Sequence, residues 1–107
     1  MVYTVEELRR IITPIAQKYK IPSVYIFGSY ARGDATEDSD VDVLFKREGS
    51  NIHGIMMGAL YEDLCKSIGK GIDLLTEESL DQHDTKNSNP WFYENMLNER
   101  VKIYGQS

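Results

Sequence analysis

The sequence predicts an α/β (α+β) fold: a small mixed β-sheet with helices packed mainly on one face. Two observations point there. Short apolar runs rich in β-branched and aromatic residues fall at 23–27, 41–45 and 72–75, each bounded by glycine or polar residues. Longer segments with helical spacing fall at 4–20 and 52–68, ahead of the first and third of those runs. Strand, turn and strand followed by helix and strand pack as one sheet layer against helices. The pattern alone leaves strand order open.

The first helix is announced by Thr4 with Glu7 three residues on, a capping box. Val5, Leu8, Ile11, Ile12, Ile15 and Tyr19 then form one apolar face. Pro14 removes a backbone donor inside this helix and should kink or loosen it, and Ile21-Pro22 should end it. Residues 23–27 read as a buried strand running straight into Gly28-Ser29. Tyr30-Ala31-Arg32 reads as a turn or two of helix closed by Gly33, and 34–39 as a polar loop. Residues 41–45 form the second strand. The polar stretch 46–51, with its glycine, is the expected mobile loop.

Residues 52–68 carry helical periodicity through Ile55, Met56, Ala59, Leu60, Leu64 and Ile68. Gly69 and Gly71 bracket a turn into the third strand, 72–75. Residues 77–89 are polar, with a short helical turn expected near Ser79. Asn89-Pro90 then reads as cap and first residue of a last helix, whose apolar face would use Trp91, Phe92, Met96 and Leu97. Residues 101–104 form a further short strand or the end of that helix.

The 107 residues fit one domain, 1–107. A chain of this length buries roughly two thirds of its unfolded surface. Apolar residues at 41% against 27% charged argue against disorder. Net charge is −5, and no basic run exceeds two residues, as at Arg9-Arg10. A protein that tracks a polynucleotide needs a basic face to displace counterions, so long nucleic acid is not the expected partner. A triphosphate neutralised by metal is compatible with an acidic protein. Cys65 is alone, which excludes an internal disulfide and suits a reducing cytoplasm. It is expected to be a small core hydrophobe. No signal peptide or membrane span is expected.

The chemistry concentrates in Gly28-Ser29-Tyr30-Ala31-Arg32-Gly33 and Ser39-Asp40-Val41-Asp42-Val43. Glycine and serine where a strand meets a helix leave backbone N–H groups free to meet an anion, with no side chain at Gly28 to block approach. Asp40 and Asp42 are two apart on a strand, so both carboxylates face one side. Side by side they repel, and a divalent cation removes the conflict. Asp73, in an otherwise apolar third strand, would complete a three-carboxylate cluster able to hold two metals about 3.5–4 Å apart. Each signal alone has a plainer reading. Asp-x-Asp is commonly a solvated strand end, Gly-Ser a turn, Asp73 a strand-edge residue, and Arg32 a surface ion pair. Their conjunction at strand ends, in one order, favours a site.

Residues 24–45 resemble the signature of the DNA polymerase β-like nucleotidyltransferase superfamily, closest to its minimal branch: Gly-Ser, an arginine and a glycine, then Ser-Asp-x-Asp-apolar. The resemblance extends over about residues 4–105. It implies magnesium, two ions held by Asp40, Asp42 and Asp73. It implies Gly28 and Ser29 against the β/γ phosphates, with Arg32 neutralising phosphate or bracing the turn. The implied reaction is attack by a hydroxyl on the α-phosphorus with pyrophosphate leaving. Proteins of this branch are commonly antitoxins that adenylylate a tyrosine of a HEPN-domain RNase toxin. The resemblance therefore implies ATP as substrate, a HEPN partner and assembly with like or unlike chains. Two other functions are open: a non-catalytic module that silences its partner by contact, and a transferase acting on a small-molecule hydroxyl.

His53 and His83 stand in polar stretches without metal-ligand spacing and are expected at the surface. Met56 and Met57 are expected to pack. Trp91, Phe92 and Tyr93 cannot all face one side of a helix, so at least one should be exposed. Asp34, Glu37 and Asp38 are expected in solvent.

Overall fold

The computed structural model describes residues 2–80, 94 and 97–105. Helix α1 spans Val5–Lys18, with the Thr4–Glu7 capping box formed reciprocally. The helix is continuous through Pro14, which is exposed. Strand β1 (Ser23–Phe27) leads directly into α2 (Gly28–Arg32), which ends on Gly33 in the left-handed region. Strand β2 spans Val41–Phe45, helix α3 Met56–Ile68, strand β3 Ile72–Thr76 and helix α4 Glu77–Leu80. Leu97–Glu99 are helical, and β4 spans Val101–Gly105. The expected helix start at Asn89-Pro90, Trp91, Phe92, Tyr93, Met96 and His83 lie outside the described residues.

The sheet order is β3-β2-β1-β4. Strand β1 pairs antiparallel with both β2 and β4, while β2 pairs parallel with β3. A tight connection suffices for the antiparallel β1–β2 pair. The parallel β2–β3 pair needs a crossover, which α3 supplies. Residues 101–104 are thus strand, hydrogen-bonded to β1.

Alternation along the strands separates two faces. Val24, Ile26, Val41, Val43, Phe45, Ile72 and Ile103 join Leu8, Ile12 and Ile15 of α1 and Leu60, Leu64 and Ile68 of α3 in one buried core. The opposite face carries a small cluster, Phe27 and Leu44 with Tyr25 and Leu75 against them. Helices α1 and α3 therefore cover one face. Removing a fully buried side chain such as Phe45 or Leu60 would cost about 3–5 kcal/mol.

One boundary departs from the expectation. Helix α3 begins at Met56, four residues later than the periodicity suggests. Gly54 has φ +56, a left-handed conformation that precludes helix there. Ile52 still reaches the core from the loop, fully buried, whereas Ile55 is 94% exposed. Glu78 accepts from the Arg47 and Glu48 backbone amides at 2.9 and 2.8 Å, clamping the 46–51 loop to α4.

Candidate active site

The antiparallel and parallel pairings of β2 build the site. Asp42 lies opposite Phe27 of β1 and opposite Asp73 of β3. In-register parallel partners direct their side chains to the same face. The Asp42 and Asp73 carboxylates therefore share the face away from α1 and α3. Asp40 precedes β2, where the Val41 amide bonds to the Gly71 carbonyl at 2.9 Å.

Two glycines hold backbone against these carboxylates. Gly28 has φ +69, and a Cβ built there would overlap Asp42 Oδ2. At Gly71 an added Cβ would lie 2.5 Å from Asp40 Oδ1. Only glycine permits both contacts. The first turn of α2 thus starts directly over Asp42, and its N-cap residue Phe27 offers no side-chain hydrogen bond. The amides of that turn have no intrahelical acceptor and suit an anion.

Burial first, then the charges of Asp73 and Asp40, raise the pKa of Asp42 from 3.8 to about 6, while Arg32 opposes the rise. Among the described residues none donates a hydrogen bond to Asp40, Asp42 or Asp73. Asp40, Asp42 and Asp73 offer only oxygen donors, and the charges of Asp40 and Asp73 bear on Asp42, a chemistry that a hard divalent cation suits. Among the described residues no three His, Cys, Asp or Glu side chains already converge as a metal cage. The carboxylates thus fit magnesium by chemistry. Such an ion commonly completes its shell with water and phosphate oxygens.

Arg32 is exposed. Its guanidinium donates to Asp34 at 3.2 Å and to Glu99 at 3.1 Å, tying the α2 turn to the chain entering β4. Glu37 and Asp38 are exposed too, as expected, and His53 is exposed in its loop. Met56, Met57 and Cys65 pack against the core, partly buried. Lys70 is a site-rim residue that sequence reasoning passed over: its ammonium donates to the Glu37 carbonyl at 2.7 Å, fastening the loop before Asp40 to the turn before Asp73. The Gly69-Lys70-Gly71 run signalled only a turn. A separate groove of about 760 Å³ lies between α1, the start of β1 and the end of β4, lined by Arg9, Lys20, Pro22, Lys102 and Tyr104. It is at the other end of β1 from Gly28.

A strand-end Gly-Ser turn over two in-register aspartates defines a nucleotidyltransferase. The family model described as polymerase beta, nucleotidyltransferase, matches residues 10–107, and the chain belongs to that family. Its sequence is 35% identical over 83 residues to the protein adenylyltransferase MntA of Thermococcus cleftensis, covering 72% of this chain and 81% of the relative. The fold is similar to a toxin–antitoxin structure with AMP-PNP (TM-score 0.70, 17% identity, 92% of this chain and 74% of that one). It is similar too to a structure of a tri-AMPylated Shewanella oneidensis HEPN toxin in complex with MNT antitoxin (TM-score 0.61, 15% identity, 92% and 70%). No helix among the described residues is long and apolar enough to cross a membrane.

Proposed function

We propose that this protein transfers AMP from ATP, with magnesium, to a tyrosine hydroxyl of a HEPN toxin and so acts as its antitoxin. The observation that carries the transferase chemistry is the in-register pairing of Asp42 with Asp73 beneath the Gly28 turn. The MntA relative's name supports a protein acceptor, and the HEPN–MNT complex supports the class of partner.

In this reading Asp40, Asp42 and Asp73 hold the magnesium. When bound, magnesium neutralises triphosphate charge and lowers the proton affinity of the attacking hydroxyl. The amides at Gly28 and Ser29, with the Ser29 hydroxyl, orient the β and γ phosphates. Arg32 keeps that turn in place through Asp34 and Glu99. Catalysis comes from positioning and charge complementarity, with no covalent enzyme intermediate. The setting is the reducing cytoplasm.

The test is incorporation of label from ATP, labelled in the α-phosphate, into a co-expressed HEPN partner. Magnesium-dependent labelling that Asp42→Asn abolishes is the expected result. Full neutralisation of the partner by an unlabelling variant would instead mean silencing by contact. Label on a small-molecule hydroxyl, with none on protein, would move the acceptor to that class.

A further inference from the structure

We propose that Lys70 is a positioning residue of the carboxylate site: its ammonium holds the loop that carries Asp40 and so sets how tightly the site grips a divalent cation. The proposal rests on the transferase reading above and deepens its metal site.

The three carboxylates are not held alike. Asp42 and Asp73 lie within paired strands, where the β2–β3 ladder fixes them in register. Asp40 lies outside that ladder, one residue before β2, and is exposed. Its carboxylate rests against the Gly71 backbone, and the next amide, that of Val41, bonds to the Gly71 carbonyl at 2.9 Å. Strand pairing thus fixes the chain after Asp40. The chain before it is a polar loop, and Lys70 reaches across to that side.

The loop is first closed on itself. The Ser39 amide donates to the Thr36 carbonyl at 3.0 Å, and the Thr36 amide donates to the Ser39 hydroxyl at 2.9 Å. These bonds make residues 36–39 one turn, so a hold on any part of it is a hold on the approach to Asp40. Lys70 Nζ donates to the Glu37 carbonyl within that turn at 2.7 Å, across 33 positions of sequence. Lys70 itself stands on a firm base. Buried Ile68 ends α3, and Gly69 caps the helix in the left-handed region, its amide bonded to the Cys65 carbonyl at 2.8 Å. Gly71 then leads into β3. A ligand carboxylate already in place loses less freedom when its cation arrives. Partners that orient metal ligands typically change metal affinity about 10–100-fold, and an exposed bond belongs at the lower end.

Two roles for a lysine at this place differ in sign. Acting through charge alone, its ammonium would repel a divalent cation, and its removal would tighten binding. Acting through the loop, its removal weakens binding.

Manganese, a divalent ion that takes the same oxygen donors, is titrated onto the full chain, and the free ion is read by electron paramagnetic resonance. Lys70→Met should weaken manganese binding about tenfold, and Lys70→Arg, which keeps charge and donors, should restore most of it. The Tm of both variants in EDTA should stay within about 3 °C of the wild type, because the bond is exposed. In labelling of a HEPN partner, Lys70→Met should need about tenfold more magnesium for the half-maximal rate, with the rate at saturating magnesium little changed. Unchanged or tighter manganese binding by Lys70→Met, in a protein whose wild type binds the ion and labels its partner, overturns the positioning role and leaves the transferase function standing. A loss that Lys70→Arg does not restore, or a larger fall in Tm, overturns it as well. A wild-type chain that neither binds manganese nor labels a partner removes both readings.

Discussion

Asp42 should weaken the fold that it serves. Its carboxyl has a pKa of about 6 in the folded chain against 3.8 as a free side chain. Folding therefore favours the protonated form, and the associated stability is full below pH 3.8 and is lost as pH rises through 6. The shift corresponds to about 3 kcal/mol between the fully protonated and fully ionised limits. Between pH 4.5 and pH 8 the span is roughly 2 kcal/mol, and partial solvent access reduces it to about 1–2 kcal/mol. Asp42→Asn removes the titration and keeps the shape. Urea unfolding of both proteins in EDTA gives the difference in stability at each pH, so that carboxylates common to both cancel. The variant should gain on the wild type by about 1–2 kcal/mol on going from pH 4.5 to pH 8, a shift of at least about 4 °C in Tm. Magnesium should narrow the gap at pH 8 by stabilising the wild type alone. Parallel pH profiles in EDTA, or a variant that loses ground at pH 8, would refute the reading of Asp42 as an unrelieved carboxylate.

The glycines offer a contrast. Gly28→Ala should lose labelling of the partner and cost about 1–3 kcal/mol, because its Cβ meets Asp42 at positive φ, while Gly33→Ala, with open space at its Cβ, should cost about 1 kcal/mol and keep activity. Gly71→Ala, with no positive φ but with Asp40 in the way, should reduce activity more than it reduces Tm. Glu78→Gln should destabilise by about 1 kcal/mol in urea melts at pH 7. Burial alone would raise the Glu78 pKa, but the Arg47 and Glu48 amides bring it below 4.5, so its contribution is present above pH 4.5 and fades as pH falls through the lowered value. Arg32→Ala should slow transfer by loosening the turn, and Arg32→Lys should restore it only in part, since one ammonium replaces a fork that spans Asp34 and Glu99.

What could be read in advance follows the range of the forces involved. The Thr4–Glu7 cap, the strands at 23–27 and 41–45, and Gly33 as helix stop are set by neighbours a few residues away, so local pattern reveals them. Strand alternation alone predicts Asp40 and Asp42 on one face; in the structure Asp42 lies in β2 and Asp40 just precedes it. Asp73 was legible as a candidate, but its register was not. That depends on α3 returning the chain so that Asp73 lands opposite Asp42, a contact across 31 positions of sequence. The start of α3 was misread because Ile52 and Ile55 mimic helical spacing. Ile52 is drawn into the core by the loop, with its carbonyl bound by Arg47 Nε at 3.1 Å, and Ile55 is left in solvent. The loop keeps that shape because the Ser50 hydroxyl donates to the Arg47 carbonyl and receives the Ile52 amide. Gly71 shows the same limit at the site itself. Its sequence context signals a turn, and only the parallel pairing of β2 with β3 turns it into the surface against which Asp40 rests. Long-range pairing decides where chemically legible residues meet, and that is why the Asp42–Asp73 pair, rather than any single motif residue, carries the functional reading.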